Sequence, residues 1–128
     1  MTLNARHRSC AVAGRRAAVA ALARRVQPDV LLLQECSPEV LAALDAALPR
    51  HERVRGAEPG WETEGSIFYN ADLLTLVEHG AEDVGLAPAS RSGGQNRTDA
   101  APRTAAAAEA GVRRLFWARL QPRLLAEL

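Results

Sequence analysis

PDVLLLQEC, residues 28–36, sets the aliphatic run Val30 to Leu33 directly against an amide, Gln34, and a carboxylate, Glu35. Such a run suits a strand buried on both faces, as in parallel sheets. A polar side chain left unsatisfied in that environment costs about 1–3 kcal/mol by mutational measures. Gln34 and Glu35 therefore need a reason to be there. On one reading they lie just past the strand in a solvated turn. On the other they stand at the C-terminal edge of a buried strand, where α/β proteins place ligand-binding groups. Spacing alone leaves both open.

The flanking residues supply the rest of a strand-helix-strand-helix unit. TLNAR, residues 2–6, is a short candidate strand. Residues 14–26, GRRAAVAALARRV, predict an amphipathic helix with Ala18, Val19, Leu22 and Val26 on its apolar side and arginines opposite. Pro28 stops that helix. After the buried strand, Ser37-Pro38 offers an N-cap and a proline at the first helical position, which opens a second helix over 38–48 burying Val40, Leu41, Leu44 and Leu48. Two strands separated by one helix are expected to pair in parallel through a crossover, so the ends of TLN and LLLQE should lie side by side, with Asn4 near Glu35.

From His51 the pattern shifts to shorter strands. HERVRG is a weak one. Residues 65–80 read as a hairpin, with strands around 66–69 and 73–78 and a turn on Asn70-Ala71-Asp72. Apolar residues occupy both parities of the first of these strands, so a second layer is expected against it. Residues 87–111 are poor in large apolar groups and rich in Ala, Ser, Gly, Pro and Arg, which predicts a flexible loop with at most a short helix at 104–110. RRLFWARL, residues 113–120, alternates as a strand, and QPRLLAEL closes as a short helix or frayed tail.

Composition excludes several classes. A length of 128 residues is one ordinary domain. A net charge of +1 gives no general pull towards nucleic acid or acidic membranes. Every basic residue other than histidine is arginine, which with the alanine excess reflects coding bias rather than phosphate recognition. Cys10 and Cys36 form no C-x-x-C pair and no His/Cys cluster, which argues against zinc. No apolar run approaches the roughly 20 residues that span a bilayer. The chain reads as cytoplasmic with reduced thiols.

Three stretches in order, TLN (2–4), PDVLLLQE (28–35) and EGSIFYNADLLTLVEHG (64–80) followed by RRLFWARL (113–120), resemble the first half of the endonuclease/exonuclease/phosphatase, or DNase I-like, superfamily. The resemblance implies an α/β fold, a partial four-layer α/β/β/α sandwich, over one truncated domain, 1–128. It matches Glu35 to the family's metal-ligating glutamate and Asn4 to the asparagine that binds metal or scissile phosphate. The implied cofactor is Mg²⁺ or Mn²⁺, and the implied partner is a phosphate ester, either nucleic acid or a small phosphorylated molecule.

The departures are as informative. The family's second half supplies an Asn-x-His stretch, an Asp-x-Asn pair that activates water and a terminal Asp-His pair, and none of these follows here. His7, His51 and His79 match none of those motifs and read as solvated loop or strand-end residues. The resulting expectation is a truncated phosphoesterase, inactive by itself, with a second chain as the source of the missing half. A pseudoenzyme or binding module using 87–111, and a nonfunctional remnant, are the alternatives.

Overall fold

A computed structural model describes residues 1–5, 13–85 and 112–126. The expectations for 87–111, His7 and Cys10 lie outside the described residues. Those described form β1 (Thr2–Asn4), α1 (Ala13–Val26), β2 (Val30–Gln34), α2 (Pro38–Ala47), β3 (His51–Arg53), β4 (Gly65–Asn70), β5 (Leu74–Gly85), β6 (Val112–Pro122) and α3 (Arg123–Ala126).

The helices start and stop where local chemistry dictates. Arg24 and Arg25 sit in the last turn of α1, where cations favour the negative end of the helix dipole. Gln27 then takes a left-handed conformation, φ 47°, and its N–H donates to the Ala23 carbonyl at 2.9 Å, with Pro28 next to bar continuation. At the start of α2 the Val40 N–H donates to Ser37 Oγ at 3.4 Å, and Pro38 opens the first turn.

β1, β2, β4 and β3 form one sheet in that order, with β1 and β2 parallel and the other pairs antiparallel. Both long helices cover one face of it. Leu31 and Leu33 of β2, Phe68 of β4, Ala23 of α1, Val40, Leu41 and Leu44 of α2, and Leu48, which caps the end of α2, close a core in which each is at most 2% exposed. Fully burying each large apolar side chain contributes about 1.5–3 kcal/mol. Within α1 it is Ala23, with Val19 packed beside it, that meets the core; Ala18 and Val26 are exposed, contrary to expectation.

The second face of the sheet meets a two-stranded sheet of β5 and β6. Ile67 and Tyr69 of β4, with Val54 and Trp61, pack there against Leu74, Leu76, Phe116, Ala118 and Leu120. β4 is thus covered on both faces, as its apolar parity predicts. The described residues form three layers, helices on sheet on sheet, in agreement with the first part of an α/β/β/α sandwich.

Two expectations are corrected. The 65–80 segment is not a hairpin: β4 pairs with β2 and β3, while β5 pairs with β6 along Leu74↔Pro122 to Gly85↔Val112. At the bend the Asp72 N–H donates to Asn70 Oδ1 at 3.0 Å and the Leu73 N–H to the Asn70 carbonyl at 3.1 Å, which carries the chain from one sheet to the other. β2 is buried on one face only, since Leu32 remains 40% exposed. No helix among the described residues is long and apolar enough to cross a membrane.

Candidate functional site

Parallel pairing of β1 with β2 places Asn4 opposite Gln34, so both strands end at the same edge. The Ala5 N–H donates to the Gln34 carbonyl at 2.8 Å and closes the ladder there. One residue further, Glu35 adopts φ 53°. That left-handed conformation crowds Cβ against the carbonyl oxygen in any residue but glycine. It is held by a hydrogen bond from the Glu35 N–H to the Glu64 carbonyl at 3.1 Å. The turn lets the chain double back so that Cys36 and Ser37 are buried while the Glu35 carboxylate stays in solvent. Asn4 Nδ2 donates to Glu35 Oε1 at 3.3 Å. The two residues singled out in the sequence therefore meet.

The loop that supplies the Glu64 carbonyl is built to reach this edge. Gly60, at φ 104°, turns it so that its carbonyl accepts the N–H groups of Thr63, Glu64 and Gly65 at 3.1, 2.8 and 3.2 Å. A side chain on Gly60 or Gly65 would run into the Phe116 ring, at 2.6 and 2.8 Å from the added Cβ. Arg114 completes the attachment: Nη1 donates to the Pro59 carbonyl at 2.8 Å and Nε to Asp83 Oδ1 at 2.7 Å. The Asp83 bond pushes the Arg114 guanidinium pKa further up, so its charge is permanent. Nearby, Glu58 is held below the usual carboxylate range by a bond to its own backbone N–H and by the Trp61 Nε1 donor at 3.1 Å.

Beside Glu35, a cleft of about 340 Å³ opens between Leu32 and Gln34 of β2, Glu64, and Arg114 and Phe116 of β6. A cavity of about 380 Å³ lies under residues 53–63. Its inner cation, Arg53, is matched by Asp45 at 3.2 Å and Glu62 at 3.8 Å, and neither Gln34 nor Glu64, the neighbours of Glu35, lines it. The cleft whose wall holds Gln34, next to Glu35 in the chain, and Glu64, which accepts the Glu35 N–H, is the better candidate.

The two described histidines do not join the site. The β2–β4–β3 register places His51, opposite Asn70, at the far end of the sheet from Gly65 and Gln34, and His51 Nε2 lies 2.6 Å from the Pro28 carbonyl. His79 is not a solvated residue: it stands half-buried, edge-on to Trp61 at 5.8 Å, with Nδ1 buried and without a partner. Among the described residues no three His, Cys, Asp or Glu side chains come together to hold a metal ion.

What the meeting of Asn4 and Glu35 offers is a carboxylate and an amide, both hard oxygen donors. That set fits Mg²⁺ or Mn²⁺, which keep most of their waters and take one or two carboxylates together with a substrate phosphate. It does not fit zinc, which takes several nitrogen or sulfur ligands. Sequence reasoning missed Arg114, Phe116 and Gly60 as supports, because their role depends on contacts across the fold.

The sequence profile of the Endonuclease/Exonuclease/phosphatase family matches residues 1–123. No curated protein matches the chain. Among solved structures, the endonuclease/exonuclease/phosphatase from Bacteroides vulgatus superposes with a TM-score of 0.63 at 18% identity, over 96% of this chain and 46% of its own. A mannosyl-6-phosphatase from Bacteroides thetaiotaomicron gives 0.56 at 21% identity, over 86% and 38%. A functionally unknown conserved protein from Enterococcus faecalis gives 0.54 at 20%, over 84% and 38%. At these identities the likeness is one of fold, and the chain spans less than half the length of each of the three.

Proposed function

This chain belongs to the endonuclease/exonuclease/phosphatase family, and from that premise we propose that it carries the metal-anchoring half of a phosphate ester hydrolase site. The carrying observation is the 3.3 Å contact from Asn4 Nδ2 to Glu35 Oε1 at adjacent ends of parallel strands. Glu35 is the ligand for Mg²⁺ or Mn²⁺, and Asn4 fixes the carboxylate and adds an amide oxygen for the metal shell or the phosphate. When bound, the cation neutralises a phosphate oxygen during in-line displacement. The cleft lined by Leu32, Gln34 and Glu64 receives the ester. A mannosyl-6-phosphatase and an endonuclease/exonuclease/phosphatase among the similar folds support the reaction class and leave the substrate open.

The remaining chemistry needs a base for the attacking water and a donor for the transferring phosphate. Of the described histidines, His51 is held at the Pro28 carbonyl at the far end of the sheet, and His79 stands edge-on to Trp61 outside the lining of the cleft. General base catalysis alone contributes roughly 10²–10⁴-fold, so we propose that the described residues by themselves give little turnover. A polypeptide that brings those groups to the cleft would complete the site.

The test uses p-nitrophenyl phosphate and bis-p-nitrophenyl phosphate with Mg²⁺ or Mn²⁺, alongside Mn²⁺ titration. The chain should bind Mn²⁺ weakly, lose that binding in Glu35→Ala, and hydrolyse neither ester above the Glu35→Ala control. Mn²⁺ binding that survives Glu35→Ala removes Glu35 as the ligand. Glu35-dependent turnover by the chain alone overturns the half-site.

A further inference from the structure

We infer that Arg114 is a positioning residue for Glu35, acting across the two sheets through the 59–64 loop. This rests on the reading of Glu35 as a metal ligand and names what holds that ligand in place. Glu35 reaches Asn4 while its backbone keeps φ 53°. Of its own backbone bonds, the one that spans this turn is N–H to the Glu64 carbonyl at 3.1 Å. Glu64 lies in the tight loop gathered on the Gly60 carbonyl, and that loop has two anchors on β6. One is Phe116, seated against Gly60 and Gly65 where any Cβ would collide with it. The other is Arg114 Nη1 on the Pro59 carbonyl at 2.8 Å. Arg114 is itself fixed by Nε on Asp83 Oδ1 at 2.7 Å, so the second sheet grips the loop through a charge-assisted bond.

The path is short and contiguous: Asp83, Arg114, Pro59, the Gly60 turn, the Glu64 carbonyl, the Glu35 N–H. If Arg114 lets go, the loop gains freedom, the Glu64 carbonyl drifts, and Glu35 relaxes towards an ordinary negative φ. Its carboxylate then swings away from Asn4. A planar guanidinium suits this role because two of its N–H groups point at two acceptors at once, which an ammonium reproduces only in part.

The test compares Arg114→Met, Arg114→Lys and Asp83→Asn with wild type, and uses Arg50→Met as a control at the exposed Arg50–Asp72 pair, 3.7 Å apart and remote from the loop. Two readouts are taken: amide hydrogen exchange of the Glu35 N–H by NMR, and the Mn²⁺ dissociation constant. Arg114→Met should speed Glu35 exchange and weaken Mn²⁺ each by about 2- to 30-fold, the range for residues that couple to a site without touching its ligand. Arg114→Lys should recover part of both effects, Asp83→Asn should fall between, and Arg50→Met should match wild type. Exchange and Mn²⁺ affinity unchanged in both Arg114→Met and Asp83→Asn overturn the inference. If wild type binds no Mn²⁺ yet Glu35 exchange still follows the Arg114 series, the metal reading falls and the positioning role stands.

Discussion

Replacing Glu35 by glycine should leave the chain more stable than replacing it by alanine, while either change destroys the metal site, and the size of the difference can be worked from the backbone. Glu35 sits at φ 53°, where a side chain costs about 1–2 kcal/mol relative to a right-handed conformation. Glycine removes that cost but brings a more flexible unfolded chain, worth roughly 0.5–1 kcal/mol in the other direction. Alanine removes the carboxylate too and keeps the crowded Cβ. The exposed Asn4 bond, 3.3 Å long, is lost equally in both variants and cancels from their comparison. The difference is therefore about 0–1.5 kcal/mol, centred near 0.75, in favour of Glu35→Gly over Glu35→Ala, or roughly 2–5 °C in melting temperature at the centre of that range for a domain of this size. Circular-dichroism melts of the two variants without divalent cation measure it. With excess Mn²⁺ wild type alone should rise, by the mass-action stabilisation of a ligand that binds only the folded state. A Glu35→Gly chain that melts at or below Glu35→Ala would refute the reasoning, because no strain would then reside at this turn.

Tyr69 is the chain's one tyrosine, so its ionisation reads directly in phenolate absorbance. Burial first, and then the bond from its hydroxyl to Glu52 Oε2 at 2.6 Å, push its pKa from 10.0 up to about 12. The folded state thus holds the proton more tightly than the unfolded chain: this contribution to stability is full below pH 10 and is lost as pH rises towards 12. The absorbance midpoint should fall in Glu52→Gln, and a wild-type midpoint near 10 would contradict the buried contact. Gly65→Ala should cost about 1–3 kcal/mol in urea unfolding by overpacking, since the new Cβ would stand 2.8 Å from Phe116 Cδ2. Phe116→Leu in the same chain should recover part of that loss, and strictly additive effects would show that the ring is not the obstacle.

The elements whose signals lie within a few residues were legible in the sequence. Ser37-Pro38 announces α2, Pro28 ends α1, the alternation of RRLFWARL gives β6, and the order of strand and helix gives the parallel β1–β2 pair that brings Asn4 to Glu35. Each rests on capping, backbone restriction or a two- or near-four-residue period, all local properties. What the sequence left open depends on which surfaces bury one another. A period of two says that Ile67 and Tyr69 share a face of β4, but a tight turn at Asn70 to Leu73 serves a hairpin and a change of sheet equally well. Only the burial of Ile67 and Tyr69 under β6, with β2 and β3 already occupying both edges of β4, decides for the change of sheet. The run Val30 to Leu33 reads as buried on both sides, yet the two-stranded second sheet leaves Leu32 in the cleft wall. The left-handed turn at Glu35 and its support by Glu64, Arg114 and Phe116 have no local signature at all, because the energy that holds them comes from contacts between residues about thirty to eighty positions apart.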